Sequence, residues 1–427
     1  MAKEGHEVKF YTKSDDDKDA GTGFVDTVDN YEDNVDWADL IITDDTIWGK
    51  VNEDLRKKGK AVIGGTRVTD ELEEDRQAGQ DMFEALGMQA IESQDFTDLA
   101  KAMAYLEENP RKVVVKVSGK AQDDKTLTYV GQMEDGSDVP KVLEHYKARM
   151  SSGIESVQVQ DAVEGTEVAI GGWFNGKDFL DPVLVNFEHK KLMGSRTEQS
   201  GIGPATGEMG TIGCWKDKGF GLYEETLRRF VPLLKKEGYR GYFDINCIVQ
   251  FDPFADGNFR VRPLEMTNRF GWPTILMQIE AMKIQNLGDL FKGIAKGSAK
   301  DFKVNGHYCA CVVIGVPPLP YISQEIADKM SNGMPIIFRD GKCDGVYPGD
   351  AICVDGEWIC QGEKGYPCVA TGCGDSIQDA QMQAYGRTRN IIIPNMMYRE
   401  DIGDLIPGKL VQIQPLLQHS ILSEATK

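Results

Sequence analysis

The sequence lacks long apolar segments, and none of its uninterrupted apolar runs approaches the roughly eighteen residues of a membrane-spanning helix. Its first residues also lack the pattern of a secretion signal, in which charged residues precede an apolar stretch. The sequence therefore predicts neither a membrane segment nor export, and we expect a cytoplasmic protein.

Basic residues are in the minority, with 48 Lys and Arg against 68 Asp and Glu and a formal net charge of -20. Nucleic acids and anionic membranes bind basic faces, so this charge argues against both as partners. Any anionic ligand must be bound by a local group of cations.

Cysteine occurs nine times, but no two cysteines have the C-x-x-C spacing. This argues against a zinc site or a disulfide framework. We expect most of these side chains to be small buried apolar groups in strands. Seven of them follow residue 300, and this density leaves a metal-binding role open as an alternative.

A chain of 427 residues is too long for one hydrophobic core, so two or three domains are expected. Residues 1–67 alternate between predicted strands and a helix ("GHEVKFYT", "ADLIITDD", "KVNEDLRKKGK", "AVIGG"), which predicts a parallel α/β sheet. Because "MAKEGHEV" has the pattern of the last turn of a helix, we expect this first domain to be truncated. Such domains usually begin with a strand and a glycine-rich turn.

Residues 68–300 have the pattern of an α+β domain. Two amphipathic helices precede "KVVVKVSG", and "SVQVQDAVEGTEVAIGGWF" and "DPVLVNFEH" alternate like antiparallel strands. Within this domain we predict a lid subdomain at about 109–176. Residues 301–427 are rich in Gly and Pro, with short strands and one helix at "SIQDAQMQAYGRTRNI", and predict a small β-rich C-terminal domain. The predicted fold class is α/β and α+β multidomain.

The segment "HKKLMGSRTEQSGIGPATGEMGTI", residues 189–212, places one His, two Lys and one Arg before a group of glycines. Glycine lets backbone N–H groups approach a ligand closely, and the cations favour an anion. A surface loop without a ligand is the alternative and commoner explanation of such a stretch.

Two further segments carry polar groups at predicted strand ends. Lys116 ends the β-branched run "VVVK", where its ammonium could hold the phosphates of a nucleotide. In "QDAVEGTE", the side chains of Gln160, Asp161 and Glu167 suit hydrogen bonds to a ribose or an adenine edge. The alternatives are a solvated lysine and a charged hairpin.

A third segment, "PLEMTNRFGWP", suits a metal ion. Glu265, Thr267 and Asn268 present oxygen atoms of the kind that Mg²⁺ prefers. The adjacent Arg269 is placed to neutralise negative charge that develops during a reaction.

In this order along the chain, the segments resemble the ATP-grasp ligases, and among them the phosphoribosylamine–glycine ligase family. The family's V-V-V-K-A-D-G is similar to "VVVKVSG", and its E-E-F-L-x-G-E-E is similar to "QDAVEGTE". Its Q-D-H-K-R and G-P-N-T-G-G-M-G resemble "FEHKK" and "GPATGEMG", and its E-F-N-x-R-F-G-D-P-E resembles "EMTNRFGWPT". The C-terminal "YREDIG" is similar to F-R-x-D-I-G, so the resemblance covers nearly the whole chain.

The resemblance implies a set of functional residues. Catalysis would depend on Lys116 and Arg269. ATP would be bound by Lys116, Gln160, Asp161, Glu167, Arg76 and Lys125. The substrates would lie against His189, Lys190, Arg196, Gly203, Pro204, Thr206, Gly207 and Gly210. A metal ion would be held by Glu265, Thr267, Asn268 and Asn246, with Asp244 as an alternative ligand.

The resemblance also implies an ATP-grasp fold and an activity. ATP would phosphorylate a carboxylate, that of glycine in the family, and an amine, 5-phosphoribosylamine in the family, would attack the acyl phosphate. This amide-forming step belongs to purine biosynthesis. It would require ATP with Mg²⁺ or Mn²⁺, and the enzyme would act on small molecules as a monomer or homodimer. The alternatives are a catalytically impaired relative that binds a nucleotide or a protein partner, and a kinase-like transfer without amide formation.

Several positions depart from the family pattern. Thr267 occupies the position of the family's metal-binding Asn. Trp272 and Thr274 replace an Asp and a Glu of the family, so the pocket for the carboxylate or amine substrate has lost negative charge. Arg76 stands where the family has a lysine. The family's loop G-L-A-A-G-K-G-V over the phosphates becomes "GKAQDDKTLTYV", and its G-G-R-E-H-A turn, which contacts the ribose phosphate of the amine, has no counterpart.

Overall fold

The computed structural model describes residues 1–14, 18–118, 127–149, 154–195 and 201–418. The first strands are β1 Lys9–Phe10, β2 Asp26–Thr27, β3 Ile41–Ile42 and β4 Val62–Ile63, and the first α-helix is α1 Gly49–Lys57. Strand β1 pairs with β2 and strand β3 with β4, both in parallel. Helix α1 connects β3 to β4, so the parallel βαβ alternation predicted for residues 1–67 is confirmed there.

A four-stranded antiparallel sheet follows, which we call the small sheet. Its strands are β5 Ser93–Phe96, β6 Val113–Ser118, β7 Tyr129–Val130 and β8 Ser156–Asp161, and the neighbouring helices are α2 Arg67–Glu74, α3 Arg76–Ala85, α4 Leu99–Glu108 and α5 Val139–Arg149. The strand order is β5-β8-β6-β7. Val113, Val115 and Val117 alternate along β6 and are buried in one core with residues of α4 and α5. The other face of β6 is left for polar side chains.

The remaining strands build a larger antiparallel sheet and two smaller ones. They are β9 Thr166–Phe174, β10 Val183–Glu188, β11 Lys191–Met193, β12 Ile202–Ala205, β13 Gly210–Lys216, β14 Gly241–Phe251, β15 Phe259–Thr267, β16 Tyr308–Ile314, β17 Pro335–Phe338, β18 Val346–Pro348, β19 Ala351–Val354, β20 Glu357–Cys360, β21 Cys368–Gly374 and β22 Ile391–Ile392. Eight of them form the large sheet, with order β15-β14-β9-β10-β13-β16-β21-β18. Strands β11 and β12 pair as a separate ribbon, and β19, β20, β17 and β22 form a four-stranded sheet.

Helices pack on both faces of the large sheet. The remaining helices are α6 Gly221–Glu225, α7 Leu227–Lys236, α8 Thr274–Met282, α9 Leu287–Lys296, α10 Gln324–Met330, α11 Ile377–Asn390 and α12 Ile406–Gln412. On one face, Phe83 of α3 and Phe230 of α7 meet edge to face with ring centroids 5.9 Å apart. On the other, Trp173 of β9 packs on Phe291 of α9 at 5.0 Å.

Strand β9 shows how the sheet leaves room for a site. Glu167 and Trp173 lie an even number of residues apart and therefore share one face of the sheet. At the Trp173 end this face is covered by α8 and α9, as part of a core that also contains Phe291 and Ile294. At the Glu167 end the same face borders a cavity. One strand thus serves both the core and the candidate site.

The sequence predicted most of these elements. Helix α11 confirms the helix predicted in the last third, and α7 ends before Gly238, whose φ of 66° lies in the left-handed region. Helices α10 and α12 were missed, because seven residues each are too few for a clear helical period. Strands β16, β18 and β21 continue the large sheet past residue 300, and the divisions after residues 67 and 300 stay predictions.

All nine cysteines are free thiols. Six of them are buried, mainly in β14, β16 and β21, which confirms their predicted place as small core residues in strands. Among the described residues, no helix combines the length and the apolar character needed to cross a bilayer.

Candidate active site

A cavity of about 1970 Å³ is lined by the small sheet on one side and by the large sheet on the other. Strands β6 and β8 contribute to it from the small sheet, and β9, β10, β14 and β15 contribute from the large sheet. The ribbon of β11 and β12 lines a further part of its wall. Most residues that the sequence analysis selected lie here.

The small sheet contributes residues predicted to bind ATP. Lys112, directly before β6, alternates with Val114 and Lys116 on β6, and all three line the cavity. On β8, Gln158 lies opposite Lys116 and Gln160 lies opposite Val114. Gln158 is buried, and its Nε2 has no hydrogen-bond partner among the described residues. The small sheet therefore offers the cavity both a cation and an amide donor.

Lys116 is strongly affected by burial. Desolvation lowers the pKa of its ammonium to about 8, the negative charge of Glu265 opposes this shift, and the positive charges of Arg76 and Lys190 add to it. The ammonium therefore interacts with a carboxylate of the large sheet and with the charge of Arg76 on helix α3. At pH 7 it remains largely protonated and can attract an anion.

On the large sheet, Lys190 bridges two carboxylates. Its Nζ lies 2.9 Å from Oε1 of Glu167 and 3.1 Å from Oε2 of Glu188. The charge of Lys190 holds the pKa of Glu167 below its usual range, whereas burial raises the pKa of Glu188. Glu167, predicted to bind ATP, and Lys190, predicted to bind a substrate, are therefore direct partners.

Predicted metal ligands lie side by side on the large sheet. Asn246 of β14 is directly opposite Glu265 of β15, and Thr267 follows two residues later on the same strand. Nδ2 of Asn246 lies 3.4 Å from a carboxylate oxygen of Glu167 and 3.4 Å from one of Glu188. Its Oδ1 has no hydrogen-bond partner in the described part of the chain. Glu265 and Thr267 line the cavity, whereas Asn246 lies beside them and is not among the lining residues.

Asn268 lies outside this row. Its Nδ2 donates to the Thr69 carbonyl at 2.8 Å and to Oε2 of Glu73 at 2.9 Å, and its Oδ1 accepts from the Thr69 hydroxyl at 3.1 Å. Neighbouring residues on a strand point to opposite faces, so Asn268 cannot share the direction of Thr267. The structure therefore does not place Asn268 beside the other predicted metal ligands, and Asn268 is not part of the metal site that we propose.

Arg269 lines the cavity but is shared with two carboxylates. Its Nε lies 2.8 Å from Oε1 of Glu73 and 3.4 Å from Oδ1 of Asp45. Burial raises the pKa of Glu73, and the charge of Arg269 opposes that shift. An anionic ligand must therefore compete with these two acids for Arg269.

Asp161 is held in a similar way at the end of β8. Nε of Arg111 donates to its Oδ1 at 2.6 Å, and Nη2 of Arg111 donates to the Tyr105 hydroxyl at 2.9 Å. Asp161 lines the cavity and keeps a second carboxylate oxygen. A ribose hydroxyl would share this carboxylate with Arg111.

The glycine-rich segment lines the cavity through part of its length. Gly203, Thr206 and Gly207 border the cavity. The N–H and the hydroxyl of Thr206 both donate to the Lys190 carbonyl, at 2.8 and 2.9 Å, so the two ends of the ribbon are fixed to each other. Pro204 and Gly210 belong to the same segment but are not among the residues that line the cavity.

Two predicted residues cannot be placed in the site. Lys125, assigned to ATP, and Arg196, assigned to the substrate, lie outside the described residues. Their predicted roles stay predictions from the sequence.

His189 lines the cavity as a neutral group. Burial and the charges of Arg399 and Lys409 lower its pKa to about 3. The N–H of Gly403 donates to its Nε2 at 3.4 Å, so the hydrogen of the neutral ring is assigned to Nδ1. Nδ1 has no partner among the described residues. His189 therefore offers a ligand a hydrogen-bond donor and no positive charge.

The large sheet adds three residues that were not predicted, Asn186, Glu188 and Tyr242, and it places the alternative metal ligand Asp244 beside them. Asn186 and Glu188 alternate on β10, Tyr242 and Asp244 alternate on β14, and all four line the cavity. The Tyr242 hydroxyl and Nδ2 of Asn186 donate to Oδ2 of Asp244 at 3.2 and 3.3 Å. Burial, with the charge of Glu188, raises the pKa of Asp244 to about 7. The sequence signal for such residues is a polar side chain at every second position of an otherwise apolar strand.

Glu208 lies in the same part of the cavity and is only 4% exposed. It accepts a hydrogen bond from the Thr211 hydroxyl, whose oxygen lies 3.3 Å from that of Thr274. Burial, with the charge of Glu188, raises the pKa of Glu208 well above its usual range. Burial thus favours the neutral form of this carboxyl, and the positive charge of Lys190 opposes that effect.

Gly171 gives Tyr242 and Asp244 their space, because a Cβ at this position would overlap the Tyr242 hydroxyl and the Asp244 carboxylate. We expect Gly171→Ala to lower the free energy of unfolding by about 2 kcal/mol, as overpacked sites do. Urea denaturation would measure it. Gly386→Ala in α11 is the control, since a Cβ there meets no atom within 4 Å and alanine favours a helix. Equal stability of the two variants would contradict the expectation.

Comparison with known proteins gives one family match. Residues 75–235 match the phosphoribosylglycinamide synthetase, ATP-grasp (A) domain. The matched range contains α3, the small sheet and strands β9 to β13, and therefore both Lys116 and the glycine-rich segment.

Similarity extends along most of the chain. The sequence is 23% identical over 361 residues to phosphoribosylamine–glycine ligase from a Nostoc species, covering 83% of this chain and 80% of that protein. The fold is similar to that of phosphoribosylamine–glycine ligase from Thermotoga maritima, with a TM-score of 0.69, 20% identity and coverage of 94% and 95% of the two chains. It is also similar to the biotin carboxylase domain of 2-oxoglutarate carboxylase from Hydrogenobacter thermophilus, solved in complex with MgADP and bicarbonate. There the TM-score is 0.60, with 12% identity and coverage of 98% and 95%.

Proposed function

We propose that this chain, which has the ATP-grasp fold and resembles phosphoribosylamine–glycine ligases along most of its length, is an ATP-dependent ligase that joins a carboxylate to an amine. The carboxylate would take the terminal phosphoryl group of ATP, and the amine would displace phosphate from the acyl phosphate. Glycine and 5-phosphoribosylamine are the substrates that this resemblance favours, with glycinamide ribonucleotide as the product in purine biosynthesis. The enzyme would act in the cytoplasm as a monomer or homodimer.

One observation carries this proposal: a half-buried cation on the small sheet shares a cavity with three carboxylates of the large sheet. Lys116 attracts phosphates, whereas Glu167, Glu188 and Glu265 repel them. A polyphosphate fits between such walls only if a divalent cation balances the charge on the acidic side. This division of charge suits a metal–nucleotide complex better than a free anion.

Glu265 and Asn246 fit the metal that this arrangement requires. They are opposite each other in register, and Oδ1 of Asn246 has no partner in the described ranges. Those ranges contain no group of three or more His, Cys, Asp or Glu side chains arranged for a metal ion. Mg²⁺ commonly uses one or two protein carboxylates and completes its shell with phosphates and water. When bound, Mg²⁺ or Mn²⁺ would neutralise charge on the phosphates.

The remaining residues would position the reactants. Lys116 of the small sheet and Arg76 of helix α3 would hold phosphates, and Gln160 with Asp161 would bind the nucleoside. Arg269 would exchange part of its contact with Glu73 for charge on the transferred group. Phosphoryl transfer depends mainly on such positioning and charge neutralisation, so no protein nucleophile is required.

The amine would bind along the glycine-rich ribbon. Nδ1–H of His189 and the backbone at Thr206 and Gly207 would hold it beside the acyl phosphate. The amine and the acyl phosphate would thus lie between the ribbon and the two sheets that line the cavity.

The test is ADP release from ATP and Mg²⁺ across a panel of amino acids, with hydroxylamine as the amine and with phosphoribosylamine generated in parallel wells. Glycine-dependent ADP and glycine hydroxamate are expected. A further rise in ADP with phosphoribosylamine identifies the amine. ADP that rises with a carboxylate but yields neither hydroxamate nor amide would favour a kinase-like transfer. Absence of any carboxylate-dependent ADP from folded protein would contradict the ligase and favour an impaired nucleotide-binding relative.

The affinity for ATP should depend on pH through Lys116. Burial lowers its pKa to about 8, so the ammonium is charged below that pH and loses its charge above it. The dissociation constant of a non-hydrolysable ATP analogue should therefore rise between about pH 7 and pH 9. Lys116→Arg is the control, because guanidinium stays protonated throughout this range and its profile should be flat. A wild-type profile as flat as that of the arginine variant would contradict the assignment.

A further inference from the structure

Glu208 is unusual against the family pattern given above. The pattern G-P-N-T-G-G-M-G has glycine at the position of Glu208, and the pattern E-F-N-x-R-F-G-D-P-E ends with glutamate at the position of Thr274. This chain therefore lacks an acid at one of the two positions and has gained one at the other. The two positions are 66 residues apart, which gives no reason from sequence alone to connect them.

The fold brings the two positions together. The Thr211 hydroxyl donates to Glu208 and lies 3.3 Å from the Thr274 hydroxyl oxygen. Both Glu208 and Thr274 line the cavity. The Thr211 hydroxyl therefore lies between the Glu208 carboxylate and Thr274, which occupies the position of the family's glutamate. Compared with the family pattern, the acid stands on the other side of Thr211.

A second side chain indicates what this part of the cavity would bind. Asn186 lines the cavity at 1% exposure, and its Nδ2 is used by Asp244 at 3.3 Å. Its Oδ1 is left without a partner among the described residues. A buried acceptor of this kind costs free energy until a donor reaches it. Oδ1 of Asn186 therefore needs a hydrogen-bond donor, and the carboxyl groups of Glu208 and Glu188 can accept further hydrogen bonds.

The nearby ammonium of Lys190 does not supply these hydrogen bonds to Glu208 and Asn186. Nζ of Lys190 is held at 2.9 and 3.1 Å by Glu167 and Glu188. A ligand that brings three donors and a positive charge, as an ammonium group does, would complement Glu208 and Asn186 together.

We infer that Glu208 binds the ammonium group of the amino-acid substrate and thereby selects carboxylates that carry an amine. This inference rests on the proposed ligase function for the identity of the site. Glu208 is the specificity-determining residue, and Thr211 orients its carboxylate. The acid missing at Thr274 is supplied from the glycine-rich segment.

The test is equilibrium binding in the presence of Mg²⁺ and a non-hydrolysable ATP analogue, so that no turnover is needed. The probes are glycine and β-alanine, each compared with its hydroxy isostere, glycolate or 3-hydroxypropionate. Wild type should bind the amino form at least about tenfold more tightly, and Glu208→Gln should reduce that preference to about threefold or less, as expected for loss of a charged hydrogen bond. Glu224→Gln, at an exposed position in α6, is the matched control and should keep the full preference.

A paired substitution separates charge from packing. Glu208→Gly alone should lose the preference, and Glu208→Gly combined with Thr274→Glu should restore most of it, because the acid then stands on the other side of Thr211. Equal binding of amino and hydroxy forms by wild type would overturn the inference, as would an unchanged preference in Glu208→Gln. A clear preference without hydroxamate formation in the enzymatic assay would support Glu208 and count against the ligase, so the two failures can be told apart.

Discussion

Replacing Lys116 with alanine should lower kcat/KM for ATP-dependent activation of the carboxylate by about 10²- to 10³-fold, the range found when one preorganised donor to a developing charge is removed. Lys116 is a half-buried ammonium of the small sheet, and it interacts electrostatically with Glu265 of the large sheet. The variant would remove the cation of β6 whose charge interacts with Glu265 of the large sheet. Both the affinity for ATP and the rate of phosphoryl transfer should therefore fall.

Lys112 provides the matched control for this variant. It lies directly before β6, four residues ahead of Lys116, and lines the same cavity. Its Nζ is paired with Oε1 of Glu134 at 2.8 Å. We expect Lys112→Ala to change kcat/KM by less than about threefold, since an exposed ion pair contributes little. Hydroxamate formation with glycine measures both variants. A similar loss in both would mean that only the total charge of the small sheet matters, and full activity of Lys116→Ala would refute its assignment.

Local patterns in the sequence were enough to predict Lys116. The run "VVVK" alternates on a strand, and this alternation separates apolar from polar faces before any tertiary contact is known. The same reasoning places Asn246 and Glu265 on neighbouring strands joined by a turn. These predictions depend on the two-residue period of a strand and on a hairpin turn, and both can be recognised from residues that are close together in the sequence.

The pairing of charges could not be predicted in this way. Lys190 bonds to Glu167 across 23 residues, and Arg111 bonds to Asp161 across 50. Such pairs depend on which strands are neighbours in a sheet whose order does not follow the chain. A cation-rich segment therefore suggested free positive charge, whereas Lys190 is neutralised by two acids and His189 is uncharged.

Asn268 shows that a ligand one residue further along a strand points to the opposite face. With Thr267 at the position of the family's metal-binding Asn, the adjacent amide was a natural substitute in the sequence. On a strand it points to the other face, where it bonds to Thr69 and Glu73. Residue type alone selected Asn268, and the two-residue period of the strand excludes it.

Arg399 is the basis of the second large effect, on stability. It is 2% exposed, and its Nε and Nη2 lie 2.6 and 3.0 Å from the two carboxylate oxygens of Asp401. Although burial opposes it, Arg399 holds the pKa of Asp401 below its usual range. Arg399→Met should lower the free energy of unfolding by about 3 kcal/mol, because it leaves Asp401 without its buried partner. Urea denaturation near pH 7 would measure the loss.

Two further variants test whether the pair itself is responsible. Arg389→Met changes an exposed arginine of α11 in the same way and should cost less than about 0.5 kcal/mol. Arg399→Met combined with Asp401→Leu should recover much of the stability lost in the single variant, since a buried ion pair replaced by apolar groups is often neutral. No recovery in the double variant would mean that the other contacts of Arg399 dominate.

Arg399→Met should also distinguish carboxylate activation by ATP from the reaction with the amine. Nη1 of Arg399 donates to the Lys191 carbonyl at 3.0 Å, at the start of the ribbon that lines the proposed amine site. Lys116 and Glu265, which would act on ATP, lie on β6 and β15, outside that ribbon. Below its unfolding transition, Arg399→Met should therefore keep glycine-dependent hydroxamate formation at high hydroxylamine, while the KM of the natural amine rises about tenfold. Equal loss of both activities would instead place Arg399 in the support of the whole cavity, because a disturbance confined to the ribbon cannot reach the phosphoryl-transfer residues on β6 and β15.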